Sequence, residues 1–409
     1  MAHRGEWRAE IAAGWTLLAT ATYACGTGVS ALVYYSFGLF VEPLQQHFGW
    51  SRGEISTALV FGSFGLVLAA PALGWCMDRV GARRVALVAI PALGLVLLLL
   101  SRFEGPRTLF YSLFFLLNVA GIGTSSILYS RAVAGSFDAA RGLALGLTLA
   151  GPGTAAILLP LLMTAVIGEW GWRAGFVTLA LLAFSPWLPV WRWLRPSVAQ
   201  ATPGLEAGLD GLTPRAAFAS RTFWVLTIGF GATAVACSAV VVHLVPLLRD
   251  AGLEPGEAAR IAALVGMGVI LGRVGIGFLV DRLFAPRVAA TIFVITAAGC
   301  ALLLAAGAGA AREAAFLIGF ALGAEVDLLA YLTSRYFGLR HFGVIYATIY
   351  AVFWIGSACG PTLAGRLFDR YGNYDLALAL VAGLFLFGAV ACVALPRYAR
   401  PADSGTDHV

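Results

Sequence analysis

Twelve apolar stretches, each long enough to cross a bilayer, follow one another along this 409-residue chain with only short polar breaks between them. A helix needs about 20 apolar residues to span hydrocarbon, where every backbone polar group must be satisfied within the segment. The stretches fall near Gly14–Phe37, Glu54–Trp75, Val85–Leu100, Leu109–Ser130, Gly142–Ile167 and Ala174–Trp193. Six more follow near Phe223–Leu248, Ala258–Val280, Val288–Ala308, Ala314–Thr333, Gly343–Gly365 and Leu376–Leu395. With 60% of residues hydrophobic and 12% charged, the chain departs from the roughly one half and one quarter of soluble domains. An all-α integral membrane protein is the expected class. The charged amino terminus leads into an apolar run from Ile11 to about Phe40, too long for a cleaved leader. It reads as a retained first span.

The charge is distributed to match. All 27 basic residues are arginines. With both termini inside, the segments on their side carry seventeen, among them Arg79, Arg83, Arg84, Arg282 and Arg335. The opposite side carries nine, including Arg52, Arg107 and Arg249. Positive charge stays cytoplasmic, so this asymmetry predicts cytoplasmic termini. The remaining arginine, Arg273, lies inside the eighth span. Nucleic-acid binding would need a solvated basic face, which arginines punctuating apolar runs do not make.

The longest polar interruption, Arg195 to Arg221, holds three prolines and three glycines at the midpoint of the chain. It predicts a cytoplasmic linker over 195–221 between an N-terminal six-helix bundle, 1–194, and a C-terminal one, 222–409, that ends in a short cytoplasmic tail. A shift of 203 residues places Gly53, Glu54, Gly65, Leu68, Gly74, Asp78 and Arg79 on Gly256, Glu257, Gly268, Leu271, Gly277, Asp281 and Arg282. Parallel six-helix halves of this kind occur in secondary transporters, whose substrate site lies at the repeat interface near the midplane.

The six cysteines stand singly, which suggests neither disulfides nor a zinc site. No metal motif, nucleophile–base pair or nucleotide loop stands out. No cofactor and no enzymatic activity are expected.

The turn after the second span reads Gly74-Trp75-Cys76-Met77-Asp78-Arg79-Val80-Gly81-Ala82-Arg83-Arg84, and its repeat reads Gly277-Phe278-Leu279-Val280-Asp281-Arg282. This resembles the loop signature of the major facilitator superfamily. The resemblance implies the twelve-helix fold of two six-helix halves. It also implies a gating role for Asp78, Arg79, Asp281 and Arg282, with Asp78 facing the amino end of the eleventh helix, where a carboxylate meets the positive end of a dipole. Phe48-Gly49-Trp50-Ser51-Arg52, Arg141-Gly142-Leu143-Ala144-Leu145-Gly146, His243-Leu244-Val245-Pro246 and Tyr336-Phe337-Gly338-Leu339-Arg340 are similar to the monocarboxylate-porter and oxalate–formate-exchanger branch. In that branch an arginine of the eighth helix binds the substrate carboxylate, and Arg273 stands in its place. The branch's aspartate one turn earlier is absent, its position being Val269.

Arg273 is also notable without the family. At helical rise it lies roughly 12 Å from the helix end at Asp281, near the midplane. A charge there costs at least about 2.5 to 3.5 kcal/mol unless it faces a partner or water. Either an organic anion held in bidentate fashion or a permanent ion pair with an acid of the tenth span would serve. That span carries Glu325 and Asp327, whose side chains project about 200° apart. Asp327 is the first candidate for proton coupling and Glu325 the second. Tyr34, Tyr331 and Trp354 are candidates for the lining of a carboxylate pocket, and Asn118 is a mid-span donor. His243, near the outer end of the seventh span, is either a pH-sensing group or a structural one.

The expected function is secondary transport of small monocarboxylates such as lactate or pyruvate by alternating access. Proton symport and anion exchange are both open. The exchanger's second cation is a lysine of the eleventh helix, and this chain has no lysine, so a monoanion is favoured over oxalate. The alternatives are a proton-coupled exporter of drugs or hydrophobic compounds and an organic-anion exchanger of the same superfamily. The expected setting is a bacterial inner membrane, crossed many times by a functional monomer whose partners are its anion, protons and lipid, with no nucleic acid.

Overall fold

The computed structural model describes residues 3–134, 136–137, 140–194, 211–280, 282–338 and 340–398. Apart from one isolated bridge between Gly211 and Gly338, the regular structure among them is helical. The first crossing is built from α1 (His3–Gly26) and α2 (Val29–Phe48), the second from α3 (Arg52–Val80), and the third from α4 (Ala82–Ser101). The fourth joins α5 (Arg107–Gly121) to α6 (Ser126–Ala134) through a 3-10 turn, Ile122–Thr124. The fifth and sixth share α7 (Arg141–Phe184), which α8 (Trp187–Trp193) prolongs. A short α9 (Pro214–Ala219) leads into α10 (Arg221–Asp250), α11 (Pro255–Val280), α12 (Ala285–Ala306), α13 (Ala311–Phe337), α14 (Phe342–Tyr371) and α15 (Asp375–Val393).

Among the described residues ten stretches are long and apolar enough to cross a membrane, and two of them, 143–193 and 285–337, run to 51 and 53 residues. At 1.5 Å per residue each of these is about twice the length a bilayer needs. The first folds back at Gly171, whose φ of 78° and ψ of 172° no side-chain-bearing residue readily adopts. The second folds back at the 3-10 turn Gly307–Ala310. Twelve crossings result. One end of the bundle carries the turns at 49–51, 102–106, 251–254 and 372–374, and is called distal here. The other, proximal end carries the first and last described residues, 3 and 398.

Small and apolar side chains fill the interior. One cluster, with Phe230, Phe293, Phe337 and Phe385 at its centre, draws its residues from 217–395. Two others, around Phe40 and Phe110 and around Tyr129 and Ile90, draw almost entirely on residues before 195. Between these groups α3 packs on α14, α7 on α11 and α2 on α10. Much of the outer surface is bare hydrocarbon, with Trp15, Leu68, Val88 and Val393 more than half exposed, as lipid contact requires. Residues 195–210 of the expected linker lie outside the described residues.

The first and fourth spans differ from the uninterrupted helices that their hydropathy predicts. The first breaks at Thr27 and Gly28, and the fourth at Ile122–Ser125. The two breaks are tied together, because the Val29 amide donates to Thr124 Oγ1 at 3.0 Å and that hydroxyl donates to the Gly121 carbonyl at 2.6 Å.

Candidate functional site

The two breaks open onto a central cavity of about 500 Å³. Residues of α2, of the α5–α6 break and of α7 form one wall, and residues of α11, α13 and α14 form the other. Arg273, Asp327, Tyr34 and Trp354 all line it. Tyr35, Tyr346, Tyr350 and Phe353 add further aromatic surface, and the α14 rings stack in sequence, with Tyr346–Tyr350 centroids 5.3 Å apart. Such a pocket combines apolar faces with a few convergent polar groups, the usual make-up of a small-molecule site.

Arg273 is half-buried, and its Nε lies out of solvent without a hydrogen-bond partner. Among the described residues no carboxylate oxygen comes within 4.0 Å of its guanidinium. A permanent ion pair with Asp327 is therefore not formed in this state. Asp327 faces the same cavity from α13, whereas Glu325 is turned away, as the 200° separation requires. Glu325 is fully buried in the second half, where Cys237 Sγ donates to its Oε1 at 3.4 Å and its Oε2 has no partner.

The remaining candidates are scattered. Asn118 lines a recess of about 50 Å³ beside the cavity, together with Tyr34 and Trp354, and donates to the Phe114 carbonyl at 3.1 Å. Tyr331 is not in the cavity wall, and its hydroxyl donates to the Val280 carbonyl at 3.2 Å, near the proximal end. Arg79 stacks on Trp75 with its guanidinium 4.2 Å from the ring centre. Asp281 lies outside the described residues, as does the side chain of Asp78, and Arg282 sits in the turn that follows α11.

The distal end is shut by a charged network that hydropathy and motif reading left unassigned. Arg52, at the start of α3, donates to both oxygens of Asp250 at 2.6 and 2.9 Å and to the Tyr374 hydroxyl at 2.8 Å. Its guanidinium lies 3.8 Å from the centre of the Phe368 ring. The amides of Arg52 and Gly53, at the amino terminus of α3, donate to the two oxygens of Asp369 at 2.9 and 2.8 Å. A carboxylate at a helix amino terminus is well placed. Burial pushes the Tyr374 phenol above its usual range, so it serves as a neutral hydroxyl.

His243, fully enclosed, completes the network, and its proton can be located. The Pro361 carbonyl, 2.9 Å from Nε2, can only accept, so Nε2 carries the hydrogen. In the neutral ring Nδ1 then accepts from the Tyr374 hydroxyl at 2.9 Å, and Tyr374 accepts in turn from Arg52. Ser56 of α3 lies 3.2 Å from Nε2. Such saturation fits a structural role.

Below this network α2 and α10 touch backbone to backbone. A Cβ on Gly38 would lie 2.0 Å from the Val242 carbonyl oxygen. Only a void of about 20 Å³, walled by Tyr35 and Gly38, separates the central cavity from a distal vestibule of about 210 Å³ that holds Glu42 and Arg249. At the proximal end a Cβ on Gly74 or Gly146 would meet nothing within 4 Å.

Two six-helix groups closed at one end around a central cavity make a recognisable architecture, and the comparisons agree. A sequence model of the Major Facilitator Superfamily matches residues 23–361. The chain belongs to the Major Facilitator Superfamily. It is a multi-pass membrane transporter and not an enzyme. Its relatives include Monocarboxylate transporter 11 of Homo sapiens, 26% identical over 94% of this chain and 83% of that one. The Oxalate:formate antiporter of Oxalobacter formigenes is 25% identical, with 90% and 89% covered. The 3-(3-hydroxy-phenyl)propionate transporter of Escherichia coli (strain K12) is 26% identical, with 89% and 90% covered. Among solved structures, a D-xylose–proton symporter superposes with a TM-score of 0.70 at 13% identity, over 92% of this chain and 97% of that one. A bacterial homologue of the human lysosomal transporter Spinster, in an inward-facing and unoccupied conformation, gives 0.62 at 17%, over 95% of both. These likenesses establish the twelve-helix fold.

Proposed function

We propose that this facilitator carries small organic monocarboxylates by alternating access, with Arg273 holding the carboxylate. The observation that carries the reading is a guanidinium in the wall of the central cavity whose Nε is buried without a hydrogen-bond partner, with Asp327 acting on it across the cavity and forming no ion pair with it. A monoanion supplies the missing partner and two hydrogen bonds in the fork geometry that guanidinium favours. No second cation lines the cavity among the described residues, so one carboxylate is matched and a second is not. Relatives named for monocarboxylates, for oxalate and formate and for an aromatic propionate support the anionic class. The aromatic walls suit an apolar or aromatic body behind the carboxylate.

In this reading the described state has its distal mouth closed, with Arg52, Asp250 and Asp369 as the lock. Opening it would part α2 from α10 and α3 from α14 while the signature loops at Arg79 and Arg282 close the other end. Asp327, which shares the cavity with Arg273, is the proton-coupling acid, and Glu325 is the alternative. We place the protein in a bacterial inner membrane as a monomer, with cytoplasmic termini and the half boundaries at 194 and 222.

The test is calorimetric titration of the purified transporter with pyruvate, lactate, butyrate, 3-phenylpropionate, oxalate and a cationic dye, repeated on Arg273→Ala. The monocarboxylates should bind, and the substitution should weaken them at least a hundredfold, the scale expected when a buried charge partner worth about 3 kcal/mol is lost. Dye binding without carboxylate binding would replace this reading with drug export.

A further inference from the structure

We propose that the first-half wall of the cavity is a second recognition pole, formed by Ser125 and the amino termini of α2 and α6, which takes an oxygen of the substrate other than its carboxylate. The inference rests on the monocarboxylate reading and specifies which monocarboxylates are preferred.

Both broken crossings restart at the cavity. Gly28 caps α2 without a side chain, and Gly28 and Ser30 line the cavity. Ser125 precedes α6, and Ser125, Ser126 and Ile127 line it too. The first four amides of any helix lack intrahelical acceptors, and together with the dipole they make its start an electropositive donor site. α2 runs for 20 residues and α6 for 9, so each has a developed amino terminus. The Val29 amide is already taken by Thr124 Oγ1.

Ser125 points to a ligand independently of the helix ends. It is 6% exposed, and its Oγ is buried without a hydrogen-bond partner. Hydroxyls inside membrane helices normally donate to the carbonyl four residues back, as Ser36, Thr148, Thr296 and Thr333 do here at 2.5 to 2.8 Å. Ser125 makes no such bond: it closes the 3-10 turn Ile122–Thr124, its own amide donating three residues back to the Ile122 carbonyl at 3.0 Å, and its Oγ is left unpaired. Its neighbour Thr124 ties the two breaks together, so the structural and the unpaired hydroxyls are different residues.

The occupant is a neutral oxygen. A helix start can also take a carboxylate, as α3 takes Asp369, but here the Val29 amide is already used by Thr124 and no cation lines this wall, so a second carboxylate would shed its water for partial charges alone. A hydroxyl, keto or ether oxygen accepts from the same donors at little desolvation cost. The substrate is thus an oxygenated monocarboxylate.

The experiment measures affinities of butyrate, 2-oxobutyrate and 2-, 3- and 4-hydroxybutyrate for wild type, Ser125→Ala and Ser125→Thr, with thermal unfolding as a folding control. Wild type should favour at least one oxygenated member over butyrate by about two- to tenfold, the range for one net hydrogen bond. Ser125→Ala should erase that preference without altering butyrate affinity or unfolding temperature, and Ser125→Thr should restore it. Equal binding of all five by wild type, or a preference that survives Ser125→Ala, overturns the pole while leaving the carboxylate reading intact. Butyrate binding that survives Arg273→Ala overturns the carboxylate reading instead, and failure of all five to bind wild type overturns both.

Discussion

At the scale of single residues, the two acids of α13 show how one helical offset separates two environments. Asp327 opens into the central cavity and Glu325 into the packed interior beside Cys237. If Asp327 couples a proton to the anion, Asp327→Asn should leave substrate counterflow intact and remove the response to an imposed pH gradient, as measured in proteoliposomes. Glu325→Gln should keep that response, and its loss there would transfer the coupling role to Glu325. Arg273 was legible in the sequence because one arginine in mid-span violates a strong rule. Ser125 was not, because a serine inside an apolar run is ordinary and only the 3-10 turn before it takes it off the four-residue ladder. Tyr331 failed as a lining residue for a related reason. Its position on the helix could be read, but the Val280 carbonyl that claims its hydroxyl could not.

At the scale of elements, crossings were readable and their interruptions were not. A hydropathy window averages over Gly121-Ile122-Gly123-Thr124-Ser125-Ser126, although glycines and hydroxyl residues are weak helix formers. Contacts between elements are stricter still. Gly38 allows α2 to reach the α10 backbone, and a β-branched residue there cannot be accommodated against the Val242 carbonyl. Gly38→Val should hold the distal mouth apart, seen as a longer spin-label distance between the ends of α2 and α10, and should reduce transport to background.

For the whole molecule, the paired halves were legible from an internal repeat, but the lock that joins them was not. Arg52 meets Asp250 and Asp369 across 198 and 317 residues of chain, separations at which no local pattern operates. Arginine placement predicts which face is cytoplasmic. Single cysteines at Ser136 and Asn373 should be labelled from opposite sides of the membrane by an impermeant maleimide, and labelling from the same side would refute the topology. The proposed preference for one carboxylate would also be a property of the whole cavity, since it follows from the charge of every wall. Oxalate should bind at least tenfold more weakly than pyruvate, as judged by calorimetry.

The distal lock also bears on tempo. Among the described residues six hydrogen bonds cross from α3 to the second half there: two to Asp250, two to Asp369, one to Tyr374 and one between Ser56 and His243. At about 1 kcal/mol net apiece, a figure that already counts their replacement by water, parting them all slows the step by roughly 10⁴-fold, and parting them before water enters would cost several times more. Throughput would then be governed by hydration of the mouth. Such a lock should make opening slow and steeply temperature-dependent, and Arg52→Gln should make the carrier faster and leakier at once, as read from uptake and leak rates in proteoliposomes.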